Sequence, residues 1–279
     1  FIRNATLQNR PFFAHISYVQ PYYPFCCPEK YLEFIDESKI PEPLPAAWLE
    51  EGENTPGYFK RRTPEDISNW KWGRKLYFAD IVHLDRQLGI VLNELEKLNI
   101  LDDTYIVFLS DHGDLLYDHR FWGKEERHYD ACVRVPMFVA GPGLKRGAIC
   151  EEFVQHEEIC PPILDISGSK FPKMPRMGNY LEVADEDIEM FCGSSLLDYC
   201  DPNRSLLKTR DSAYVESYNP IWSINPGDWA RTIRNKQYRY TYYPCGDGEQ
   251  LFDLQNDPGE QINLAYNEDY KNTKLELKS

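Results

Sequence analysis

"YIVFLSDHGDLLYDHRFWGK", residues 105–124, decides the fold. The run Tyr105–Ile106–Val107–Phe108–Leu109 is short, β-branched and aromatic. That is the composition of a strand buried on both faces. It stops at Ser110-Asp111-His112-Gly113, and polar side chains at the carboxyl end of a buried strand stand where open α/β sheets bind ligands. Asp and Gly are also ordinary turn residues, so the tetrapeptide alone fits a turn as well as a site. A turn leaves His112 unexplained, together with the lone Lys124 that follows it by twelve residues.

On the N-terminal side the pattern is helical. Tyr77, Ile81, Leu84, Leu88, Val91, Leu95 and Leu98 recur at steps of three and four, which puts one apolar stripe on a helix spanning Arg74 to Leu98. "NILDDT" closes it before the strand. Arg10–Tyr18 (RPFFAHISY) reads as a buried strand with "PYYPFCCPEKY" as the loop leaving its end. Residues 36–68 are rich in Pro, Glu and Gly without a sustained period, which reads as a long surface excursion. Further apolar runs at Val135–Ala140 and Ile159–Ile166 continue the helix–strand alternation expected of a mostly parallel sheet sandwiched by helices. Beyond Cys192, "AYVESY", "WARTIRNKQYRYTYYP" and "EQLFDLQNDPGE" are short, aromatic and punctuated by turn residues, the texture of a small antiparallel sheet. The expected organisation is an α/β part over residues 1–190 and a small α+β part over 191–279.

Composition limits the function classes. The formal charge of −14 leaves no basic surplus for phosphates, so nucleic acid is excluded as a partner. No apolar stretch approaches the ~20 residues of a membrane span. The chain has no leader and opens on Phe1 rather than Met, so it is expected to be part of a longer product. Eight cysteines without a CxxC pair argue against structural zinc. Their even number, with the sequons Asn4-Ala5-Thr6 and Asn203-Arg204-Ser205, points to an extracytoplasmic compartment that permits disulfides and glycosylation.

The segment "SDHGDLLYDHRFWGKEERHYDACVRVPMFVAGPG" resembles the C-terminal signature of the sulfatase family, within the alkaline phosphatase superfamily. Its members run S-D-H/N-G, G-D-H, W-x-K, a Tyr-acid pair, R-V-P, an apolar strand and G-P-G. The resemblance extends in order through "RPFFAHISYVQPYYPF", the helix "YFADIVHLDRQLGIVLNELEKLNILDD", "VQHEEICPPILDISG", "GSSLLDY" and "YRYTYYPCGDGEQLFDLQNDPGEQINLA". It implies hydrolysis of a sulfate monoester on a sugar or aryl group. Asp111 and His112 would be ligands of a divalent cation, Ca2+ before Mg2+ or Mn2+, an ion suited to holding anionic oxygens and activating a nucleophile. Lys124 would meet a sulfate or leaving-group oxygen as a point charge. His128, beside Tyr129–Asp130, is a candidate substrate contact. Asp118–His119 reads as loop-fixing, and Arg134 as an internal partner. Among Arg231, Arg234, Lys236 and Arg239 most are expected on a solvated face.

Two departures from the family pattern matter. The nucleophile, a formylglycine made within C/S-x-P-S/A-R, has no counterpart among these residues, so it and the remaining metal carboxylates are expected in an N-terminal half of the same protein. The family's P-H-x-P loop reads "PYYP" here, with Tyr22 in place of His. A phenol with a pKa of about 10 donates a hydrogen bond but is a poor proton shuttle near neutrality. Alternatives are a phosphodiesterase or phosphonate monoester hydrolase of the same superfamily, where Asp-His at the metal is frequent, and a relative that binds sulfated glycans without cleaving them.

Overall fold

A computed structural model describes residues 1–50, 52–60, 68–124, 127–169, 195–201, 210–218, 229–244 and 246–278. Its helices are α1 (Ile2–Leu7), α2 (Gly57–Lys60), α3 (Trp70–Lys97), α4 (Asp130–Val133), α5 (Cys160–Ser167), α6 (Leu196–Cys200) and α7 (Lys271–Lys278). Its strands are β1 (Ile106–Leu109), β2 (Met137–Ala140), β3 (Ser212–Ser217), β4 (Ala230–Asn235), β5 (Tyr238–Tyr243) and β6 (Gly248–Asp253). Strands β1 and β2 form one sheet, and β3-β4-β5-β6 form another in that order. Cys192, Cys245 and the sequon at Asn203 lie outside the described residues, as does the expected boundary near residue 190.

The chain divides into two compact units. The first takes residues 1–104, 109–137 and 214–279, and the second 105–108 and 138–213. In the first, α3 is the periodic helix read from the stripe, starting one turn earlier than expected. The C-terminal sheet is antiparallel as expected, with Tyr240 opposite Ile233 on one side and Leu251 on the other. Its inner face shares a core with Trp48, Tyr58, Phe59, Leu115, Phe121 and Tyr129. Trp48 stacks on Tyr129 with centroids 5.8 Å apart, and Tyr58 on Tyr243 at 5.9 Å.

These contacts correct the reading of residues 36–68. The short 3-10 turns Ala47–Glu50 and Gly52–Asn54 and the one-turn helix α2 show no sustained period, yet the first turn delivers Trp48 and α2 delivers Tyr58 and Phe59 to full burial. Large aromatic side chains bury enough area to anchor irregular backbone.

Arg10–Tyr18 is also corrected. It forms no strand, and Phe13 keeps 68% of its surface exposed. A strand exists only as part of a ladder, and none of the described strands pairs with this segment.

Among the basic residues of the C-terminal sheet, Arg239 is buried rather than solvated. It pairs with Glu260, donates to Thr241 and packs against the rings of Tyr129 and Phe252. Arg234 makes two bonds of 3.0 Å to Asp130. Arg134, expected to pair internally, is exposed.

In the second unit, Phe108 of β1 stacks on Phe138 of β2, centroids 4.7 Å apart. The strand β1 is half-buried, not buried on both faces, because β2 is its one partner among the described strands. The run Ile159–Ile166 is largely helix α5, with prolines in its first turn and Gly168 left-handed at its C-cap. Glu158 is buried and accepts from the Gln155 N–H, the Tyr199 hydroxyl and Arg210. No described helix is long and apolar enough to cross a membrane.

Candidate active site

The residues after β1 are shaped by their own backbone bonds. Ser110 N–H donates to Pro136 O at 3.3 Å, and Gly113 N–H to Cys132 O at 2.7 Å. Gly113 is required there, since a Cβ would fall 2.0 Å from Ala131 O. Between these anchors Asp111 and His112 project outward, with side-chain exposures of 86% and 24%.

The His112 ring is oriented by a bond of 2.8 Å between Nδ1 and Gly113 O. A carbonyl can only accept, so Nδ1 carries the hydrogen and Nε2 offers its lone pair. Lys124 Nζ lies 2.5 Å from that Nε2, and Asp111 Oδ2 lies 3.7 Å from it. Tyr22 completes the group. Its ring meets His112 edge-on at 5.7 Å between centroids, and Lys124 Nζ is 5.0 Å from its centroid. Four residues singled out from sequence, Tyr22, Asp111, His112 and Lys124, thus converge.

His128 does not join them. It is 3% exposed, with Nδ1 bonded to Thr232 Oγ1 at 2.8 Å and Nε2 to Ser217 Oγ at 2.6 Å. Burial, then the Arg239 charge, lowers its pKa to about 3. Both ring nitrogens of His128 are occupied by protein partners. His119 is likewise buried, stacked on Tyr129 at 4.2 Å, with its pKa lowered to about 3 by burial and then by Arg239. Asp118 fixes the loop, accepting from Leu44 N–H and Arg74 Nη2, both at 2.7 Å.

Aromatic rings flank the group. Tyr23 meets Trp122 at 4.4 Å, and Phe25 meets Tyr77 at 5.5 Å. Tyr22 and Tyr23 are exposed, at 47% and 52%.

Sequence reasoning missed two groups that shape the loop leading to Lys124. Asp114 accepts from Leu116 N–H at 2.8 Å and Gly123 N–H at 2.9 Å. Arg74, buried on α3, donates to Leu116 O and Pro41 O, both at 2.8 Å. Neither belongs to a pattern, because the bonds by which they shape this loop go mostly to backbone atoms.

The donor set fits half of a divalent-cation site. Asp111 supplies hard oxygens and His112 one lone pair, which Lys124 Nζ takes up here, so a cation bound at Nε2 would displace the ammonium group from it. The separation of 3.7 Å between Asp111 Oδ2 and His112 Nε2 lets both reach one cation at the ~2.3–2.6 Å typical of calcium–oxygen bonds. Among the described residues no group of three or more His, Cys, Asp or Glu is disposed to hold an ion.

Comparison with known proteins identifies the family. The Sulfatase family model matches residues 1–169. The chain belongs to the sulfatase family. A second model, N-sulphoglucosamine sulphohydrolase C-terminal, matches residues 113–279. An arylsulfatase of Clostridium perfringens is 29% identical over 270 residues, covering 94% of this chain and 51% of the relative. A choline-sulfatase of Rhizobium meliloti is 28% identical over 273 residues, covering 95% and 48%. The sulfatase-family chain therefore spans about half the length of these relatives. Among solved structures, a phosphonate monoester hydrolase of Agrobacterium radiobacter has a similar fold, with a TM-score of 0.80 at 24% identity over 99% of this chain and 56% of that one.

Proposed function

We propose that this chain is the C-terminal part of a sulfatase that cleaves a sulfate monoester on a sugar or aryl group. The observation that carries the reading is the convergence of Asp111, His112, Lys124 and Tyr22, because it gathers cation ligands and a fixed positive charge around one point. The exposed rings of Tyr22 and Tyr23 suit the ring of such a substrate.

In this reading Asp111 and His112 hold a divalent cation, calcium before magnesium or manganese. The bound cation would stabilise charge on the sulfuryl oxygens and favour an ionised nucleophile. The nucleophile, a formylglycine by family resemblance, and the remaining carboxylate ligands would come from an N-terminal half of the same protein. Lys124 binds the ester and gives its proton to the leaving oxygen as the S–O bond breaks. Tyr22 donates a hydrogen bond to the sulfuryl group, leaving proton transfer to Lys124.

The finer architecture belongs to the same proposal. It comprises a mostly parallel sheet in residues 1–190, of which β1 and β2 would be members, and a small subdomain over 191–279. Extracytoplasmic location is supported by the exposed Asn4 of the first sequon. A phosphonate monoester or phosphodiester substrate is the second reading, favoured by the Asp-His pair at the proposed cation.

The test is the metal content and sulfate-ester turnover of the full-length protein carrying Asp111→Ala. Loss of one bound divalent ion together with turnover is expected. Full retention of both would remove the reading.

A further inference from the structure

The loop that ends at Lys124 is held in an uncommon shape. Leu116, Tyr117, His119 and Arg120 all have positive φ, at 47°, 74°, 55° and 63°. Non-glycine residues persist there only where the surroundings over-determine them. The two arms are anchored by the buried side chains of Leu115 and Phe121, and the tip by Arg74 and Asp118.

The last step is different. From Phe121 the chain must reach Lys124 through Gly123, whose φ is +76° and around which an added Cβ would meet nothing within 4 Å. Hydrogen bonds hold the backbone at Gly123, two with nitrogen and oxygen partners and a longer one of 3.5 Å from Cys132 Sγ to Gly123 O. Leu115 N–H donates to Gly123 O at 2.9 Å, and Gly123 N–H donates to Asp114 Oδ1 at 2.9 Å. The same Oδ1 accepts from Leu116 N–H at 2.8 Å. One carboxylate oxygen therefore ties the start of the loop to the residue immediately before Lys124.

We propose that Asp114 is a positioning residue whose Oδ1 closes this loop and fixes the backbone from which Lys124 reaches the site. The inference rests on the reading of Lys124 as the group that meets the leaving oxygen. Its distinctive feature is that both bonds converge on a single oxygen. An amide oxygen can accept both, so the negative charge of Asp114 is dispensable while the acceptor is not.

The test compares Asp114→Asn and Asp114→Ala in the full-length protein on two sulfate esters. One, 4-nitrophenyl sulfate, has a good leaving group, and the other, an alkyl sulfate, has a poor one. Asp114→Asn is expected to stay within about threefold of the parent on both. Asp114→Ala is expected to lower kcat on the alkyl sulfate by about 10²-fold, the scale of a misplacement of about 1 Å. Its loss on the nitrophenyl ester should be smaller, below about tenfold, with KM nearly unchanged, because the leaving oxygen there needs less help. If Asp114→Ala does not fold, Asp114→Leu fills similar space without an acceptor and gives the same comparison.

Equal losses on both esters, or an Asn variant as impaired as the Ala variant, would overturn the positioning role. Lys124→Ala, assayed in parallel, separates the two claims. If it shows the leaving-group dependence and Asp114→Ala does not, this inference fails and the reading of Lys124 stands. If Lys124→Ala shows none, the reading itself fails, and this inference with it.

Discussion

Lys124 Nζ lies 2.5 Å from Nε2 of His112. The ammonium group of Lys124 thus meets the ring nitrogen proposed to hold a cation, although twelve residues and a strained loop separate the two. In a sulfatase centre, oxygens held near that point would be shared between a metal ion and the lysine. The chain between His112 and Lys124 is held by the backbone bond from Gly113 N–H to Cys132 O and by the Asp114 side chain, which accepts from Gly123 N–H.

Lys124→Ala in the full-length protein is therefore expected to lower kcat by about 10²–10³ on a sulfate with a poor leaving group, the usual loss for one charge-stabilising contact. KM should change less, because the contact strengthens as the leaving oxygen becomes anionic. Steady-state kinetics of the variant and parent check this, and full turnover by the variant would place Lys124 outside the chemistry.

Tyr22 offers a graded comparison. Tyr22→Phe removes one neutral hydrogen bond, worth about 0.5–1.5 kcal/mol, and should cost less than Lys124→Ala. Tyr22→His restores a group titrating near neutrality and should preserve or raise kcat, most for poor leaving groups. A Tyr22→His variant slower than Tyr22→Phe on such substrates would argue against a sulfuryl-facing Tyr22.

Gly113→Ala should destabilise the fold. Its Cβ would fall 2.0 Å from Ala131 O and 3.0 Å from Ala131 C, backbone that can yield only by displacing α4. The expected cost is at least about 1–3 kcal/mol, measured as a lowered urea midpoint. An unchanged midpoint would show that α4 moves freely.

Stability should fall on mild acidification. His119 and His128 are held near a pKa of about 3 by burial and by the facing Arg239 charge, against about 6.5 in an unfolded chain. Between those values the unfolded state binds the extra protons, so stability rises with pH there. The contribution is complete above pH 6.5 and is lost as pH falls from 6.5 toward 3. His128→Gln should flatten the slope of unfolding free energy against pH across that window. An unaltered slope would mean that His128 titrates normally.

Much of this arrangement was legible in the sequence, for reasons that differ by residue. The stripe on α3 was readable because its spacing is the helix period, and Asp111, His112, Lys124 and Tyr22 because they stand at motif positions. Trp48, Tyr58 and Phe59 were hidden within a stretch rich in Pro, Glu and Gly, whose composition says loop while these three aromatic rings join the core. His128 and Arg239 looked available as polar residues among exposed-seeming neighbours. Burial and complete hydrogen bonding at His128, and an ion pair with Glu260 at Arg239, account for them instead. Segment Arg10–Tyr18 has the composition of a strand, but composition does not supply the neighbour that a ladder needs. Asp114 and, apart from its ion pair with Asp118, Arg74 act on backbone atoms, which leave no trace in side-chain patterns.

The most direct measurement is the specificity of the full-length protein: kcat/KM for an aryl sulfate against kcat/KM for an aryl phosphonate monoester, under identical divalent-cation conditions. The sulfate ester is expected to be preferred, with that preference lost in Lys124→Ala as turnover falls. A clear preference for the phosphonate, or turnover of neither ester with the cation bound, would contradict the proposed function.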